Sequence, residues 1–319
     1  MTLPPATAIE AAADRIAPYV ERTRLIRSEG LSRHAGVDIF LKLENEQRTG
    51  SFKVRGATNV LASLPEAERA RGIVASSAGN HGLGVAYAAK QFGVKATVFI
   101  PSNAPKVKRD GIRNLGATVN DGQPHYDAAM VAALEFAKKT GARFIHPCLG
   151  DELLAGQGTV ALEVLREIPD VATIIVPVGG GGLLGGSAGF IKARAPNVRV
   201  IGAQSDNTAA MAKSFRAGRI VEIENLPTLA DGLAGQVDQA ALDIGTAALD
   251  DIVTVPESDL GRAMLWLLDN HQIKVEGSGA AGVAAVLSGR FAPKSKTAIV
   301  VSGGNVDDDR LALLRRSDA

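Results

Sequence analysis

The stretch Thr173-Ile174-Ile175-Val176-Pro177-Val178-Gly179-Gly180-Gly181-Gly182-Leu183-Leu184 decides how this chain is organised. It begins with a short run that is apolar on both faces, as in a buried parallel strand. Four glycines and a helical pattern follow, so the stretch is typical of a strand–loop–helix unit. Consecutive glycines are entropically costly in an ordinary turn, but they let successive N–H groups approach an anion at a helix N-terminus. We therefore interpret the glycine loop as a phosphate site.

The same alternation of short β-branched runs and helical patterns continues outward along the chain. It predicts an α/β fold with largely parallel sheets flanked by helices. The predicted strands are Ile39–Glu44, Gly72–Ser76, Thr97–Pro101, Arg143–His146, Thr173–Val178, Arg199–Ala203, Ile252–Val255 and Thr297–Val301. The predicted helices include Ala8–Arg22, Gly84–Phe92, Pro105–Leu115, Asp127–Thr140, Glu152–Ile168, Leu183–Ala195, Glu257–Leu268 and Ala280–Leu287.

A lysine stands in an unusual setting shortly after the first predicted strand. The run Thr49-Gly50-Ser51-Phe52-Lys53-Val54-Arg55-Gly56-Ala57 places Lys53 between an aromatic ring and small residues. A lysine held away from bulk water has a lowered pKa, because desolvation disfavours the ammonium form, and its free amine can form an imine. Taken alone, Lys53 is more simply an ordinary solvated charge.

Two further strand ends carry small polar residues. The run Ser76-Ser77-Ala78-Gly79-Asn80-His81-Gly82 leads from a predicted strand into a helix, where exposed N–H groups suit a carboxylate or phenolate oxygen. Its alternative interpretation is an ordinary turn with a serine N-cap. The run Val301-Ser302-Gly303-Gly304-Asn305 ends another predicted strand, and the hydroxyl of Ser302 could donate to a ring nitrogen.

Together these motifs resemble the fold-type II pyridoxal-phosphate enzymes (the tryptophan synthase β-like fold), and within them the threonine/serine dehydratase and serine racemase group. The similarity covers nearly the whole chain, and the motifs occur in the order typical of that family. The runs 155–159 and 230–232 also resemble family segments. The resemblance implies pyridoxal 5'-phosphate as cofactor and a cleft between two domains as the site. It implies a small domain at residues 67–148, inserted in a large cofactor-binding domain formed by residues 1–66 and 149–319.

The resemblance also assigns roles to individual residues. Lys53 is expected to be the Schiff-base lysine and later the base that takes the α-proton. Ser302 is expected to bond the pyridine nitrogen, and Glu276 to lie near the ring, although Gly277 replaces the proline that usually follows it. The remaining expected contacts are Phe52 beside the ring, Asn80 on the phenolic oxygen, Gly179, Gly180, Gly181, Gly182 and Leu183 on the phosphate, and Ser77, Asn80 and His81 on the substrate carboxylate.

The reaction that the resemblance implies is β-elimination from a β-hydroxy amino acid such as L-threonine or L-serine, giving a 2-oxo acid and ammonia. Racemisation is disfavoured, because serine racemases place a serine hydroxyl immediately before the Gly-Asn-His sequence and this chain has Ala78 there. Leu83 and the segment 146–151 depart from the family pattern, which leaves a bulkier or different substrate, such as phenylserine or hydroxyaspartate, as an alternative. Gln204 and Ala210 stand where acidic ligands of a family cation site are expected, so we predict no metal.

A nicotinamide-dependent dehydrogenase is the alternative outside this family. Residues 180–185 match a GxGxxG pattern after a strand, and Asp206 follows at about the distance that a dinucleotide-binding fingerprint requires. A non-catalytic binding protein with the same fold is a third possibility. Neither alternative explains the lysine, asparagine and serine motifs together.

Composition excludes several other classes of protein. The chain has 319 residues and a formal net charge of +1, without a basic run that would favour nucleic acid. Its single cysteine, Cys148, cannot form an intrachain disulfide, and no secretory leader is visible, so we expect a cytoplasmic location. The apolar run 171–190 contains proline and glycines, which favours a buried strand over a membrane span. The family is commonly dimeric, and a homodimer is expected.

Overall fold

The computed structural model describes residues 2–104, 106–224 and 226–317. It is a mixed α/β structure, as the sequence predicts, and its two sheets are flanked by helices. The strands are β1 Leu25–Arg27, β2 Ile39–Leu43, β3 Ile73–Ser76, β4 Ala96–Pro101, β5 Thr118–Gln123, β6 Arg143–Phe144, β7 Thr173–Pro177, β8 Arg199–Ser205, β9 Asp251–Val255 and β10 Thr297–Val301. The helices are α1 Ala6–Ile16, α2 Glu29–Ala35, α3 Lys53–Ser63, α4 Glu66–Arg69, α5 Asn80–Phe92, α6 Lys106–Asn114, α7 Tyr126–Thr140, α8 Asp151–Glu167, α9 Gly182–Arg194, α10 Ala210–Ala217, α11 Gln239–Ala248, α12 Glu257–His271, α13 Gly277–Leu287 and α14 Asp308–Ser317.

The larger sheet has six strands in the order β1-β2-β10-β7-β8-β9. All neighbouring strands are parallel except β1 and β2, which form an antiparallel pair at one edge. Every residue of β7 and of β10 is buried, because helices cover both faces of the sheet. This explains why their sequences are continuously apolar instead of alternating.

The smaller sheet has four parallel strands in the order β5-β4-β3-β6. Its central strand β3 is wholly buried, whereas β5 alternates between exposed and partly buried residues at the edge. All four strands fall between Ile73 and Phe144, within the segment expected to form the small domain. That division into domains stays a prediction.

Helix α3 connects the two sheets and begins at Lys53. It packs against α5 and α8. The approach to α5 is close because of Gly84, where an added Cβ would lie 3.1 Å from the main-chain carbon of Lys53. The N-terminal turn of α5 is therefore held beside Lys53.

The structure departs from the predicted elements in ways that have physical causes. Strands β1 and β5 were not predicted, since β1 has three residues and β5 is the polar sequence TVNDGQ. Helix α3 was not predicted either, although most of its residues are buried. The first predicted helix stops at Ile16 rather than Arg22, shortly before Pro18. Among the described residues, no helix is both long and apolar enough to cross a membrane.

Candidate active site

A cavity of about 1250 Å³ lies where several strands of the two sheets end. Parallel strands present their carboxyl ends at one edge, and the loops after β3, β6, β7 and β10 all contribute to the cavity wall. Every predicted site residue lies on this wall. These are Phe52, Lys53, Ser77, Asn80, His81, Gly179, Gly180, Gly181, Gly182, Leu183, Glu276 and Ser302.

Lys53 enters the cavity from the first turn of α3. Its Nζ donates to the carbonyl oxygen of Pro147 at 2.7 Å and lies 3.9 Å from Sγ of Cys148. The ammonium is 5.2 Å from the centre of the Phe52 ring, within the range of a cation–π contact. The main-chain N–H of Phe52 donates to the carbonyl of Ser302 at 3.1 Å. The lysine loop is thereby joined to the end of β10.

The glycine loop after β7 has no room for side chains. A Cβ on Gly182 would lie 3.0 Å from Cα of Cys148, and one on Gly180 would lie 2.8 Å from Sγ of the same residue. Gly181 has a φ of 86°, in the left-handed region that favours glycine, and caps α9. Among the described residues, no side chain caps that helix end. The first residues of α9 line the cavity, and their N–H groups, which lack intrahelical partners, are suited to bind an anion.

Asn80 is held by two neighbours that come from distant parts of the chain. Its Nδ2 donates to Oε1 of Glu276 at 2.7 Å, and its Oδ1 accepts from Nδ2 of Asn305 at 2.7 Å. Burial raises the pKa of Glu276 to about 7, with a further contribution from the charge of Asp231. Burial in the site thus favours the neutral acid, although the hydrogen bond from Asn80 opposes it.

His81 is buried, and its Nε2 lies 3.0 Å from the carbonyl oxygen of Ile145. Burial, followed by the nearby charge of Lys53, lowers the pKa of His81 to about 3, so the imidazole is neutral near pH 7. A neutral ring that donates from Nε2 leaves Nδ1 as an acceptor, and Nδ1 is buried without a partner among the described residues. The ring therefore offers no positive charge to a carboxylate, but the main-chain N–H groups at the start of α5 remain suitable.

The serines predicted in the site differ in their surroundings. Ser302 is only 3% exposed at the end of β10, and its side chain lies on the cavity wall. Ser77 is half-buried, and its Oγ accepts from the N–H of Gly79 at 3.2 Å, which orders the turn before α5. Both hydroxyls are neutral groups at strand ends.

Several residues of the cavity were not predicted. Cys148 lies between Lys53 and the glycine loop, and Nζ of Lys108 pairs with Oδ2 of Asp231 at 3.1 Å at the cavity wall. Tyr126 also lines the cavity. The only sequence signal for Cys148 is its position just after β6, at the same edge as the other loops.

These groups fit the cofactor that the resemblance implies. Pyridoxal phosphate has an aldehyde, a phosphate, a phenolic oxygen and a pyridine nitrogen. The cavity offers, respectively, the amine of Lys53, the glycine loop, the amide of Asn80 and the hydroxyl of Ser302. The close approach of Gly180 and Gly182 to Cys148, which a Cβ would prevent, is the feature that an ordinary turn does not require.

Comparison with known proteins agrees with this fit. A family model described as "Pyridoxal-phosphate dependent enzyme" matches residues 16–303. The L-threonine ammonia-lyase of Thermotoga maritima is 47% identical over 289 residues, which cover 90% of this chain and 72% of that protein. The structure of maize serine racemase has a TM-score of 0.93 at 35% identity and covers 99% of this chain and 98% of its own. The structure of the T.th. threonine deaminase has a TM-score of 0.89 at 37% identity, covering 95% of this chain and 99% of its own.

The resemblance inferred from the motifs is thus confirmed, together with the fold-type II architecture and the cofactor. The assignment of the glycine loop to the cofactor phosphate, rather than to a dinucleotide, stays a prediction. The chain belongs to the family of pyridoxal-phosphate dependent enzymes.

Proposed function

We propose that this protein is an ammonia-lyase that converts L-threonine or L-serine to a 2-oxo acid and ammonia by β-elimination. The observation that carries the proposal is the placement of Lys53. Its amine enters one cavity together with the glycine loop, Asn80 and Ser302. Relatives named L-threonine ammonia-lyase, 42–47% identical over at least 90% of this chain, support the reaction type.

Lys53 is suited to move the proton of the substrate α-carbon. Pyridoxal phosphate, when bound, supplies an electron sink for that carbon. The amine of Lys53 lies on the cavity wall, and Phe52 covers it on one side. The carbonyl of Pro147 accepts its hydrogen bond at 2.7 Å and so directs the amine. A directed amine in a partly dehydrated site can act as a general base.

The substrate carboxylate has a binding place at the N-terminus of α5. The main-chain N–H groups of this turn and the positive end of the helix dipole favour an anion. Ser77 orders the turn through its bond to Gly79, and Asn80 begins the helix. Since the ring of His81 is neutral, this carboxylate site relies on dipoles rather than on a full charge.

Ser302 supports elimination over transamination. A hydroxyl is a neutral partner for a ring nitrogen, unlike the carboxylate of an aspartate. It does not favour a proton on that nitrogen and so limits the strength of the electron sink. Prompt loss of the β-hydroxyl is the expected consequence.

Serine racemase activity is the second candidate, because maize serine racemase is a close structural neighbour. Racemisation requires a second acid or base on the opposite face of the α-carbon. The residue at the expected place is Ala78, which lines the cavity with a methyl group. A methyl group cannot carry a proton, so we propose lyase activity as the main reaction.

The cavity wall is partly apolar and includes Leu83 and Leu149, and we propose that the β-substituent of the substrate lies against it. This wall is compatible with the methyl group of threonine, and it is the reason to test phenylserine as well. We also propose a cytoplasmic homodimer, from the single cysteine and from the common state of the family.

A product assay tests the proposal. Purified protein loaded with pyridoxal phosphate is given L-threonine, L-serine, phenylserine or hydroxyaspartate, and 2-oxo acid and ammonia are measured. We expect release from L-threonine or L-serine, and a loss of at least about a thousandfold in Lys53→Ala. Formation of the D-amino acid without 2-oxo acid would overturn the proposal in favour of racemisation. Turnover of phenylserine far above that of threonine would show that phenylserine, and not threonine, is the preferred substrate.

A further inference from the structure

A chain of hydrogen bonds connects four separate segments at the rim of the cavity. Nδ2 of Asn305 lies 2.8 Å from the carbonyl oxygen of Thr49 and 2.7 Å from Oδ1 of Asn80. Nδ2 of Asn80 lies 2.7 Å from Oε1 of Glu276. The chain therefore runs from the loop before Lys53, through the end of β10, to the start of α5 and the start of α13.

The hydrogen bonds in this series can have only one direction from donor to acceptor. A main-chain carbonyl only accepts, so the NH₂ group of Asn305 must face Thr49. The second N–H of the same group then points at Asn80, whose side-chain oxygen must accept it. The NH₂ group of Asn80 is consequently turned away from Asn305, toward Glu276 and the cavity. Its orientation follows from the fixed main-chain acceptor rather than from a free choice between two amide rotamers.

The local sequence makes space for Asn305. Gly50 has a φ of 73°, and a Cβ there would lie 2.3 Å from Oδ1 of Asn305. The N–H of Gly304 donates to the carbonyl of Gly50 at 2.9 Å, which fixes the two loops to each other. The loop of Lys53 and the loop of Ser302 thus hold Asn305 in place, although its side chain is exposed at the rim.

We propose that Asn305 is a positioning residue that holds the amide of Asn80 with its NH₂ group toward the bound cofactor. The inference rests on the proposed role of Asn80 as the partner of the phenolic oxygen. One N–H of Asn80 is used by Glu276, and the other has no partner among the described residues. An inverted amide would present a carbonyl oxygen to the phenolic oxygen, which is itself an acceptor. Asn305 prevents that inversion.

The test is the affinity of the apoprotein for pyridoxal phosphate, measured by fluorescence titration, in the variant Asn305→Asp. The substitution keeps the shape of the side chain and removes both N–H donors. We expect the Kd to rise about fivefold, as the loss of one well-placed hydrogen bond predicts. We also expect a shift of the visible absorption of the lysine-bound cofactor, because its phenolic oxygen loses a donor. Asn270→Asp is the matched control, since Asn270 donates to a main-chain carbonyl on the exposed face of α12.

A double variant separates positioning from general destabilisation. If Asn305 acts through Asn80, then Asn305→Asp has no further effect on the Kd when Asn80 is already alanine. Full additivity of the two effects would overturn the proposal, as would an unchanged Kd and spectrum in Asn305→Asp.

A second substitution guards against a variant that does not fold. Asn305→Ser keeps one O–H donor without adding charge. We expect the logarithm of its Kd for pyridoxal phosphate to rise about half as much as in Asn305→Asp. A serine variant identical to the wild type in Kd and spectrum would contradict the proposal. All of these readouts concern cofactor binding without substrate, so they fail or succeed independently of whether the protein is a threonine lyase.

Discussion

Lys53 and Arg55, two residues apart in α3, have opposite surroundings: Arg55 is fully paired within the protein, whereas Lys53 faces a cavity. The guanidinium of Arg55 is surrounded by protein acceptors on every side, chiefly the carboxylates of Glu44 and Glu163. The amine of Lys53 faces a cavity whose polar groups are only partly paired. The comparison shows that Arg55 can anchor α3 in the protein interior while Lys53, two residues away on the same helix, remains available to a ligand.

The cluster around Arg55 is complete within the protein. The guanidinium is 1% exposed and donates to Glu44, Glu163, Thr159 and the carbonyl of Glu21 at distances between 2.7 and 3.2 Å. Burial alone would raise the pKa of Glu44, but the charge and hydrogen bonds of Arg55 overcome this and leave the pKa below its ordinary value. Both groups therefore remain charged in the interior.

The cavity has the opposite electrostatic character. Burial raises the pKa of Glu276 to about 7 and lowers that of His81 to about 3, so burial here favours the neutral forms. No guanidinium is placed to compensate either group among their described contacts. In a site that binds a polar cofactor, such groups can keep hydrogen-bonding capacity that the ligand uses when it binds.

Removing Arg55 is expected to give the largest effect on stability. Arg55→Met leaves Glu44 buried without its main partner, and we expect the free energy of unfolding to fall by about 3–5 kcal/mol. Arg22→Met is the control, because Arg22 is 65% exposed and its pair with Glu167 is worth less than about 1 kcal/mol. Urea unfolding of both variants measures the difference. Equal, small losses would contradict the view that the Arg55 cluster fixes α3.

A side chain in the glycine loop is expected to weaken phosphate binding. Gly182→Ala brings a Cβ to 3.0 Å from the main chain of Cys148, so the loop must shift away from its present course. We expect the Kd for pyridoxal phosphate to rise about tenfold, while the Kd for pyridoxal, which lacks the phosphate, changes little. Gly122→Ala is the control, since its Cβ would meet only Oδ1 of Asn120 at 3.8 Å. An equal loss for both ligands would show that the loop does not hold the phosphate.

The raised pKa of Glu276 predicts a dependence of stability on pH. The folded apoprotein binds a proton at Glu276 that the unfolded chain releases near its ordinary pKa of 4.5. Stability from this group is therefore lost as the pH rises from 4.5 to about 7, the opposite of Glu44, whose contribution is lost as the pH falls below 4.5.

The variant Glu276→Gln isolates this contribution. We expect the melting temperature of the variant minus that of the wild type to increase by a few degrees as the pH is raised from 5 to 8. His81 gives a contribution of opposite sign between pH 3 and 6.5, so only the difference between variant and wild type is informative. A difference that does not change with pH would mean that Glu276 is ionised throughout this range.

Cys148 is expected to have the smallest effect. Its thiol is 3.9 Å from Nζ of Lys53, but the chemistry proposed for the site assigns it no bond to make or break. Cys148→Ser is nearly isosteric, and we expect kcat/KM for threonine to stay within about threefold of the wild type. A loss of several orders of magnitude would show that the thiol takes part in the reaction.

The sequence predicted the buried central strands better than the edge strand β5 or the helix α3, which connects the two sheets. Strands such as β7 and β10 were predicted because both faces are buried and the sequence is continuously apolar. The edge strand β5 was not, because its polar residues pair only with β4. Helix α3 was missed because its burial comes from packing on α5 and α8, which leaves no simple period in KVRGATNVLAS.

The candidate site could be predicted as a set of residues but not as a network. Lys53, Asn80 and Ser302 stand in motifs whose composition is unusual, so each could be recognised locally. The bonds between Asn80, Glu276 and Asn305 join positions 196 and 225 residues apart, and no local pattern encodes them. The neutral state of His81 likewise depends on burial that only the folded chain provides.

The measurement that tests the central claim most directly is to locate the lysine that carries the cofactor. Protein loaded with pyridoxal phosphate is reduced with borohydride, digested and analysed by mass spectrometry. The account predicts a pyridoxyl group on Lys53, and none on the fully buried Lys42, which is paired with Glu163. A label on another lysine, with Lys53 unmodified, would contradict the account.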